Sequence, residues 1–319
     1  MVKSPPTEVP LLSLLNRLRA GRPVSLSRKV SIGMAAHGNA KTTREALEAL
    51  FASAQGDFEL ILVDDLSPDN TLEVYREAAK RHANTRIFSF GSNLEYCHSV
   101  NAFLSHGSGE RLLFLSNDIF VNPSYLRQLL AASAANPGCG VLRGCSNFVD
   151  NDSPAHNVSA GPLPTRKARF AFGAEIARRH AARPLADERF LVGDAFLVTR
   201  ALLDRVGTFD TRFVGYCADM DLGLRAQIAG FRVVLVPQAF AVHEEHVNIK
   251  YLPPEAQQRK IALRMSRIGE ALRLFREKYA LPPKAANVHE LPWEALAKQP
   301  FDPARHHVAP LDYSRYLLK

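Results

Sequence analysis

Two apolar runs of the chain lead directly into acidic residues. The run FELILV precedes Asp64 and Asp65, and the run RLLFL precedes the triplet Ser116–Asp118. A carboxylate is very unfavourable inside a core unless it is paired. Each run is therefore expected to be a buried strand whose end leaves the core and reaches a ligand. There an ionised carboxylate can accept N–H groups or hold a cation.

The elements that must position these acids alternate along the chain. Short apolar runs take turns with segments of helical spacing: Val30–Ala35, Thr43–Ala54, Phe58–Val63, Thr71–His82, Arg86–Phe90, Ser99–Ser105 and Arg111–Leu115. This order predicts an α/β fold with a Rossmann-like, mostly parallel central sheet flanked by helices. Ligands of such sheets bind beyond the carboxyl ends of the strands. The first strand leads there into His37 and Asn39, so three strand ends are polar.

Charge narrows the class of partner. The net charge of +8 and the sequence pI of about 9.4 suit polyanions, namely nucleic acid, anionic lipid headgroups or phosphorylated substrates. The sequence holds no basic motif interleaved with aromatic residues, so nucleic acid is not an expected partner. The four cysteines show no metal-binding spacing and are expected to be reduced, buried thiols of a cytoplasmic protein.

Membrane attachment is an open question at this point. The sequence has neither a signal-peptide pattern nor a run of about 20 apolar residues, so no spanning helix is predicted. The segment Leu11–Val24 combines leucines on one helical face with several arginines. It is either a short helix packed on the domain or a helix at the membrane surface. The second alternative would make the protein peripheral at the inner face of the membrane.

The motifs together resemble a known family. In chain order they read VSIGMAAHGN, LVDDLSPDNT, FLSNDIFVNP, VGDAFLVTR, VGTFD, CADMDLGLR, AGFRV and AVH. This series is similar to the inverting nucleotide-sugar transferases of glycosyltransferase family 2, which have the GT-A fold. A rhamnosyltransferase-like subgroup of that family is one of the alternatives that the resemblance leaves open. The resemblance covers roughly residues 29–280. It implies transfer of a hexosyl or deoxyhexosyl group.

The resemblance and the periodicity together predict the organisation of the chain. Residues 1–28 are a helical extension, and residues 29–250 are the catalytic domain. Within that domain, residues 29–122 are the nucleotide-binding half and residues 123–250 the acceptor-binding half. Residues 251–319 are a C-terminal extension that begins with a long, strongly basic helix.

The resemblance implies a donor site for a UDP- or dTDP-linked sugar. Asp65 takes the position of the family's base-recognition acid, because a carboxylate can accept the N3–H of uracil or thymine. The alternative is that one of the two adjacent acids caps the turn before Pro68. The remaining predicted nucleotide contacts are Ala36, His37, Asn39, Asn101 and Asn117.

A divalent cation, Mn²⁺ or Mg²⁺, is implied by the triplet that ends in Asp118. This acid matches the second acid of the family's metal motif, while Asn117 replaces the first. His243 resembles the family's late histidine and is the second predicted metal ligand, with His246 as a competitor. The alternative for Asp118 is a cap of the turn that leads to Pro123.

The general base implied by the resemblance is Asp219. It would remove the proton of the acceptor hydroxyl. Ala218 replaces the glutamate that usually precedes this acid, so either the role of that glutamate is dispensable here or Asp221 shares the work. The alternative is that Asp219 and Asp221 stabilise the helix N-terminus. Asp194 and Asp221 are the predicted contacts to the sugar or the acceptor.

The residues by themselves predict a nucleotide crevice with a metal and acids, and the resemblance implies a metal-assisted, inverting glycosyltransferase. Its acceptor would be a glycan or glycolipid hydroxyl in bacterial cell-envelope polysaccharide biosynthesis. The main alternative is a non-catalytic relative that binds a nucleotide-sugar or a glycan, because Asn117 and Ala218 both replace acids. A sugar nucleotidyltransferase is less favoured, since the loop AAHGNAK holds a single glycine where phosphate-cradling loops hold several.

Overall fold

A computed structural model describes residues 21–149, 156–214, 216–244, 253–282 and 290–318. The strands are β1 (Val24–Leu26), β2 (Val30–Ala36), β3 (Ala54–Gly56), β4 (Glu59–Asp64), β5 (Thr85–Ser89), β6 (Arg111–Ser116), β7 (Ile119–Phe120), β8 (Cys139–Ser146), β9 (Ala186–Asp187), β10 (Ala195–Thr199) and β11 (Arg232–His243). The helices are α1 (Ala40–Ser53), α2 (Thr71–Arg81), α3 (Glu95–His106), α4 (Pro123–Ala135), α5 (Arg166–Arg179), α6 (Arg200–Val206), α7 (Ala218–Ile228), α8 (Pro254–Lys278), α9 (Trp293–Ala297) and α10 (Pro303–His306).

The central sheet runs in the order β5-β4-β2-β6-β10-β8-β11-β7, and β9 pairs with β11. The first four of these strands are parallel, as predicted. The other half is mixed, because β10 lies antiparallel between β6 and β8, and β7 lies antiparallel to β11. The α/β fold class is confirmed. The direction of β10 depends on the long connection before it, which local periodicity does not encode.

Helices cover both faces of the sheet, as the apolar runs require. In β4, Leu60 and Leu62 pack into one hydrophobic layer, while Ile61 and Val63 pack into the other. A strand buried on both faces reads as a continuous apolar run rather than an alternating one. All four cysteines are buried thiols, and none of them is in a disulfide.

The two ends of the chain differ from the prediction in part. Of the predicted helical extension, residues 1–20 lie outside the described part of the chain, and Val24–Leu26 is a strand that pairs with β3. The C-terminal extension does begin with the long helix α8. The tail then returns over the domain, where Val308 pairs with Gly207 and Leu317 pairs with Phe88 at the edge strand β5. No helix in the described part of the chain is long and apolar enough to cross a membrane.

A buried charge network joins α7 to the end of α8. The Asp221 carboxylate lies 2.7 Å from the Arg225 guanidinium and 2.6 Å from the Lys278 ammonium. It also accepts a 2.8 Å hydrogen bond from the Tyr279 hydroxyl. Lys278 lies 2.9 Å from Asp210 as well. Asp221 and Arg225 are fully buried, so the network replaces the water that these charges lose.

We predict that Asp221→Asn destabilises the fold strongly. The change leaves the Arg225 cation buried with its carboxylate partner removed, and breaking a buried pair costs about 3–5 kcal/mol. Denaturant unfolding followed by circular dichroism measures this loss. Glu270→Gln is the matched control, because it breaks an exposed pair with Arg273 and is expected to cost less than about 1 kcal/mol. Equal losses in the two variants would contradict a structural role for the network.

Candidate active site

Three parallel strands bring their polar ends to one edge of the sheet. Asp64 at the end of β4 lies opposite Ala36 at the end of β2, and Ser116 at the end of β6 lies opposite Ala35. The backbone N–H of Asp65 donates to the Ala36 carbonyl at 2.9 Å. The acids that follow these strands are therefore neighbours in space.

Asp65 is nearly buried, with 4 % of its surface exposed. Its carboxylate accepts the backbone N–H of Leu94 at 2.7 Å, and its carbonyl lies 2.7 Å from the His37 ring nitrogen. Burial raises the pKa of Asp65, although the hydrogen bond from Leu94 opposes that rise. His37 is exposed beside it, and Asn39 is left-handed at φ 66° where α1 begins. Asp65 and His37 thus lie side by side at this edge of the sheet.

Two of the predicted nucleotide contacts hold the protein's own backbone. The Asn117 amide nitrogen donates to the Gly38 carbonyl at 3.1 Å and to the Thr43 hydroxyl at 2.8 Å, which ties the loop after β6 to the start of α1. Asn101 is fully buried, and its amide pairs with the N–H and the carbonyl of Phe209, each at 2.8 Å. The structure does not bring Asn101 to the other predicted contacts, because its amide is committed to a loop inside the core.

His243 lies between two carboxylates. Its Nε2 is 3.5 Å from an Asp118 oxygen, and its Nδ1 is 3.4 Å from an Asp194 oxygen. Pairing of β7 with β11 sets this geometry, because His243 lies opposite Ile119, the residue after Asp118. Burial disfavours the charged ring, but hydrogen bonds and charge from Asp118 and Asp194 prevail and raise the pKa of His243 to about 10.

Two side chains that the sequence did not single out hold His243 and Asp194 in place. Asn147 donates to the His243 carbonyl at 3.0 Å and accepts its N–H at 2.8 Å. The Arg143 side chain is almost completely buried and donates to both Asp194 oxygens, at 2.9 and 3.2 Å. Asp194 therefore lies behind His243 and supports it. The sequence did offer one indication of Asn147, because this polar residue ends the run GVLRGCSN just after a buried strand.

The donor set around Asp118 fits a divalent cation held mainly by substrate. Within the described ranges, no three His, Cys, Asp or Glu side chains are arranged to hold a metal ion. The second oxygen of Asp118 is buried and has no hydrogen-bond partner. That oxygen and the neighbouring His243 ring provide a carboxylate and an imidazole, both of which suit Mn²⁺. Few protein ligands are needed where phosphates supply the others.

Asp219 is held at the first turn of α7. Its two carboxylate oxygens accept the N–H of Gly193 at 2.8 Å and the N–H of Met220 at 2.9 Å. Burial raises the pKa of Asp219 to about 6; those two hydrogen bonds oppose the rise, and the charge of Asp194 adds to it. Cys217, the residue that caps α7, has a φ of 62° and turns the chain so that Asp219 meets Gly193.

Gly193 is required beside Asp219. A Cβ at this position would collide with the Tyr96 hydroxyl and lie 3.0 Å from an Asp219 oxygen. The Tyr96 hydroxyl donates to the Gly193 carbonyl at 2.6 Å. Tyr96 is a third side chain that sequence reasoning missed, because nothing in its local pattern indicates that α3 reaches the loop before β10.

The structure does not bring Asp221 to the site. Asp221 points into the buried charge network and has no exposed surface. Two arginines near the motifs are also committed to backbone carbonyls: Arg225 donates to Val206 and Thr208, and Arg200 donates to Gly107. The competing metal ligand His246 lies outside the described residues.

Comparison with known proteins shows the family of the chain. The family model of glycosyl transferase family 2 matches residues 31–206. The chain is 26% identical over 223 residues to an N-acetylglucosaminyl-diphospho-decaprenol L-rhamnosyltransferase of Mycobacterium tuberculosis, over 62% of this chain and 70% of that protein.

Solved structures share the fold at low identity. S. aureus TarS in complex with UDP superposes with a TM-score of 0.50 at 18% identity, over 67% of this chain and 59% of that one. The mannosyltransferase PcManGT of Pyrobaculum calidifontis, in complex with GDP-Man and Mn²⁺, gives 0.51 at 17% identity over 90% and 85%. The family match runs from β2 to the end of α6, more than half of the chain, so the protein belongs to glycosyltransferase family 2 and is a glycosyltransferase with the GT-A fold.

Proposed function

We propose that this glycosyltransferase inverts the configuration of a sugar that it moves from a UDP- or dTDP-linked donor to a hydroxyl of a glycan or glycolipid. One observation carries the proposal. Gly193 donates to Asp219, while the next residue, Asp194, lies against His243. A candidate base and a candidate metal ligand are thus held by consecutive residues of one turn.

The donor is proposed from chemistry and from relatives. The Asp65 carboxylate is near the edge where the strands end, and an acceptor-only group there suits the N–H of a pyrimidine base. TarS binds UDP, which is consistent with a uridine donor. The M. tuberculosis relative is a rhamnosyltransferase acting on a lipid diphosphate, which keeps a dTDP-linked deoxyhexose and a glycolipid acceptor as the second donor–acceptor pair.

Asp118 and His243 are the residues that would hold Mn²⁺ or Mg²⁺. When bound, such an ion would neutralise negative charge on the diphosphate leaving group. Asn147 and Asp194 would then position the imidazole, because each fixes one part of His243. His243 must lose its proton before its Nε2 can act as a ligand.

Asp219 would act as the general base. With a pKa of about 6, it is largely ionised at neutral pH and a stronger base than an ordinary aspartate. Each of its oxygens accepts one N–H and keeps a lone pair for the acceptor hydroxyl. As the acceptor oxygen bonds to the anomeric carbon, its proton passes to Asp219, and the bond from that carbon to the diphosphate oxygen breaks on the opposite face.

A second candidate function is binding without catalysis. Asn117 and Ala218 stand where the family has acids. The Asn117 amide nitrogen donates its hydrogen bonds within the protein, to Gly38 and Thr43. A relative that had lost transfer would keep nucleotide affinity. The two candidates therefore differ in turnover rather than in donor binding.

We predict that UDP or dTDP raises the melting temperature when Mn²⁺ or Mg²⁺ is present, and that EDTA reverses the rise. A ligand that binds the folded state stabilises it by about 2.7 kcal/mol at 100 times its Kd. Differential scanning fluorimetry with UDP, dTDP, GDP, CMP and ADP measures the shift. Asp118→Ala should abolish the metal-dependent part, whereas Asp204→Ala, an exposed acid on α6, should not. A shift that is equal with EDTA would remove the metal from the proposal.

We predict that Asp219→Asn keeps the nucleotide shift and lowers transfer by about 10²–10⁴-fold, the usual contribution of a general base. In the parent protein, kcat/KM should rise with pH through about 6, because only the ionised carboxylate accepts the proton. Detection of released nucleoside diphosphate measures both. Full turnover in Asp219→Asn would refute this base, and nucleotide binding with no turnover in the parent would favour the non-catalytic candidate.

A further inference from the structure

The first half of α8 carries exposed apolar side chains. Ile261, Leu263 and Met265 are 47 %, 51 % and 61 % exposed. In the second half of the same helix, Leu272 and Phe275 are buried in the core. The C-terminal half of the helix is therefore packed on the core, and its N-terminal half leaves apolar side chains exposed to solvent.

The apolar stripe that anchors α8 continues past the domain. Ile261, Met265, Ile268, Leu272 and Phe275 follow one another at spacings of three and four residues and share one face of the helix. Ile268 is partly buried against the core, and the two residues before it in this series are exposed. Because the apolar stripe continues past the residues that pack on the core, its exposed part is suited to contact another apolar environment.

Basic residues lie on the other side of the same segment. Between positions 254 and 268 the sequence has four cationic side chains and a single acid, Glu255. The cations are Arg259, Lys260, Arg264 and Arg267. By helical spacing, Arg259, Lys260 and Arg267 lie on the side of Leu263, whereas Arg264 flanks the apolar stripe next to Ile261. A helix with an apolar stripe and a cationic face lies well at an anionic membrane surface, where apolar residues enter the headgroup region and cations meet phosphates.

The segment also stands next to the candidate base. Arg267 lies 2.9 Å from Glu95, the first residue of α3, and the next residue is Tyr96, which bonds Gly193. The Arg264 guanidinium lies 5.9 Å from the centre of the Tyr216 ring, just before the start of α7. A surface bound along α8 would therefore face the side of the site where Asp219 lies.

We propose that residues 254–268 form a docking surface for an anionic phospholipid bilayer. Ile261 and Met265 enter the headgroup layer, and the neighbouring cations contact lipid phosphates. This surface is separate from the segment Leu11–Val24, in which the sequence alone suggested membrane contact. Its test needs neither donor nor acceptor, so it does not depend on the proposed reaction.

Vesicle co-sedimentation tests the proposal with the full-length protein. Vesicles of phosphatidylcholine alone are compared with vesicles that contain 30 mol% phosphatidylglycerol as the probe, a fraction of about one-third chosen to mimic an anionic leaflet. Binding to the anionic vesicles is expected, and it should weaken about tenfold or more between 50 mM and about 500 mM salt because screening shortens the reach of surface charge.

Paired variants locate the contact. Ile261→Ser combined with Met265→Ser, and separately Arg259→Glu, should each weaken vesicle binding by about tenfold. Leu311→Ser and Arg178→Glu remove an exposed leucine and an exposed arginine elsewhere and should change it less than about twofold. Circular dichroism and the melting temperature confirm that each variant is folded.

Three results would overturn the proposal. The first is equal binding to neutral and anionic vesicles, or none. The second is loss of binding in Leu11→Ser combined with Leu15→Ser while the α8 variants bind normally, which would assign the contact to the N-terminal segment. The third is a dimer in light scattering that Ile261→Ser with Met265→Ser dissociates, which would make the stripe an interface between two copies.

Discussion

The site depends on how the chain enters β10. Gly193 and Asp194 are consecutive residues, yet they serve two different parts of the site. The N–H of Gly193 holds Asp219 on α7, and the carboxylate of Asp194 lies between Arg143 on β8 and His243 on β11. Both residues lie in the turn that leads into β10, so one dipeptide holds both partners.

This constraint explains why the sheet is mixed. If β10 ran parallel to β6, the residues before it would lie at the opposite end of the sheet, away from Asp118. The antiparallel insertion instead brings the start of β10 beside the ends of β6 and β8, and Ser116 donates its N–H to the Asp194 carbonyl at 2.8 Å. The short pairing of β7 with β11 then closes the group by placing Asp118 next to His243.

Buried charge performs two separate tasks around α7. Asp219 and Asp221 are two residues apart on one helix and have opposite environments. Asp221 is surrounded by cations, so although burial opposes it, the charges of Arg225 and Lys278 lower its pKa. Asp219 accepts backbone N–H groups and lies near the negative Asp194, and burial raises its pKa to about 6. The same helix thus holds one acid permanently ionised for stability and leaves its neighbour able to take up a proton.

Local sequence was sufficient for the elements and for the type of site. The apolar runs of β2, β4 and β6 and the helical spacing of α1, α2 and α8 predicted those elements to within a few residues, because hydrophobic periodicity reflects burial directly. The polar residues after those strands indicated where ligands would gather. The ordered motifs were sufficient to indicate the family.

Only the tertiary structure decided which polar side chains face that site. Asn101 and Asp221 carry the right groups in the right motifs, but each is turned inward to pair with distant partners, Phe209 and Lys278. Tyr96, Arg143 and Asn147 support the site from elements far away in sequence, and their local patterns are ordinary. The physical reason is that a polar group must be satisfied wherever it is buried, and its partner is chosen by the packing of the whole chain rather than by its neighbours in sequence.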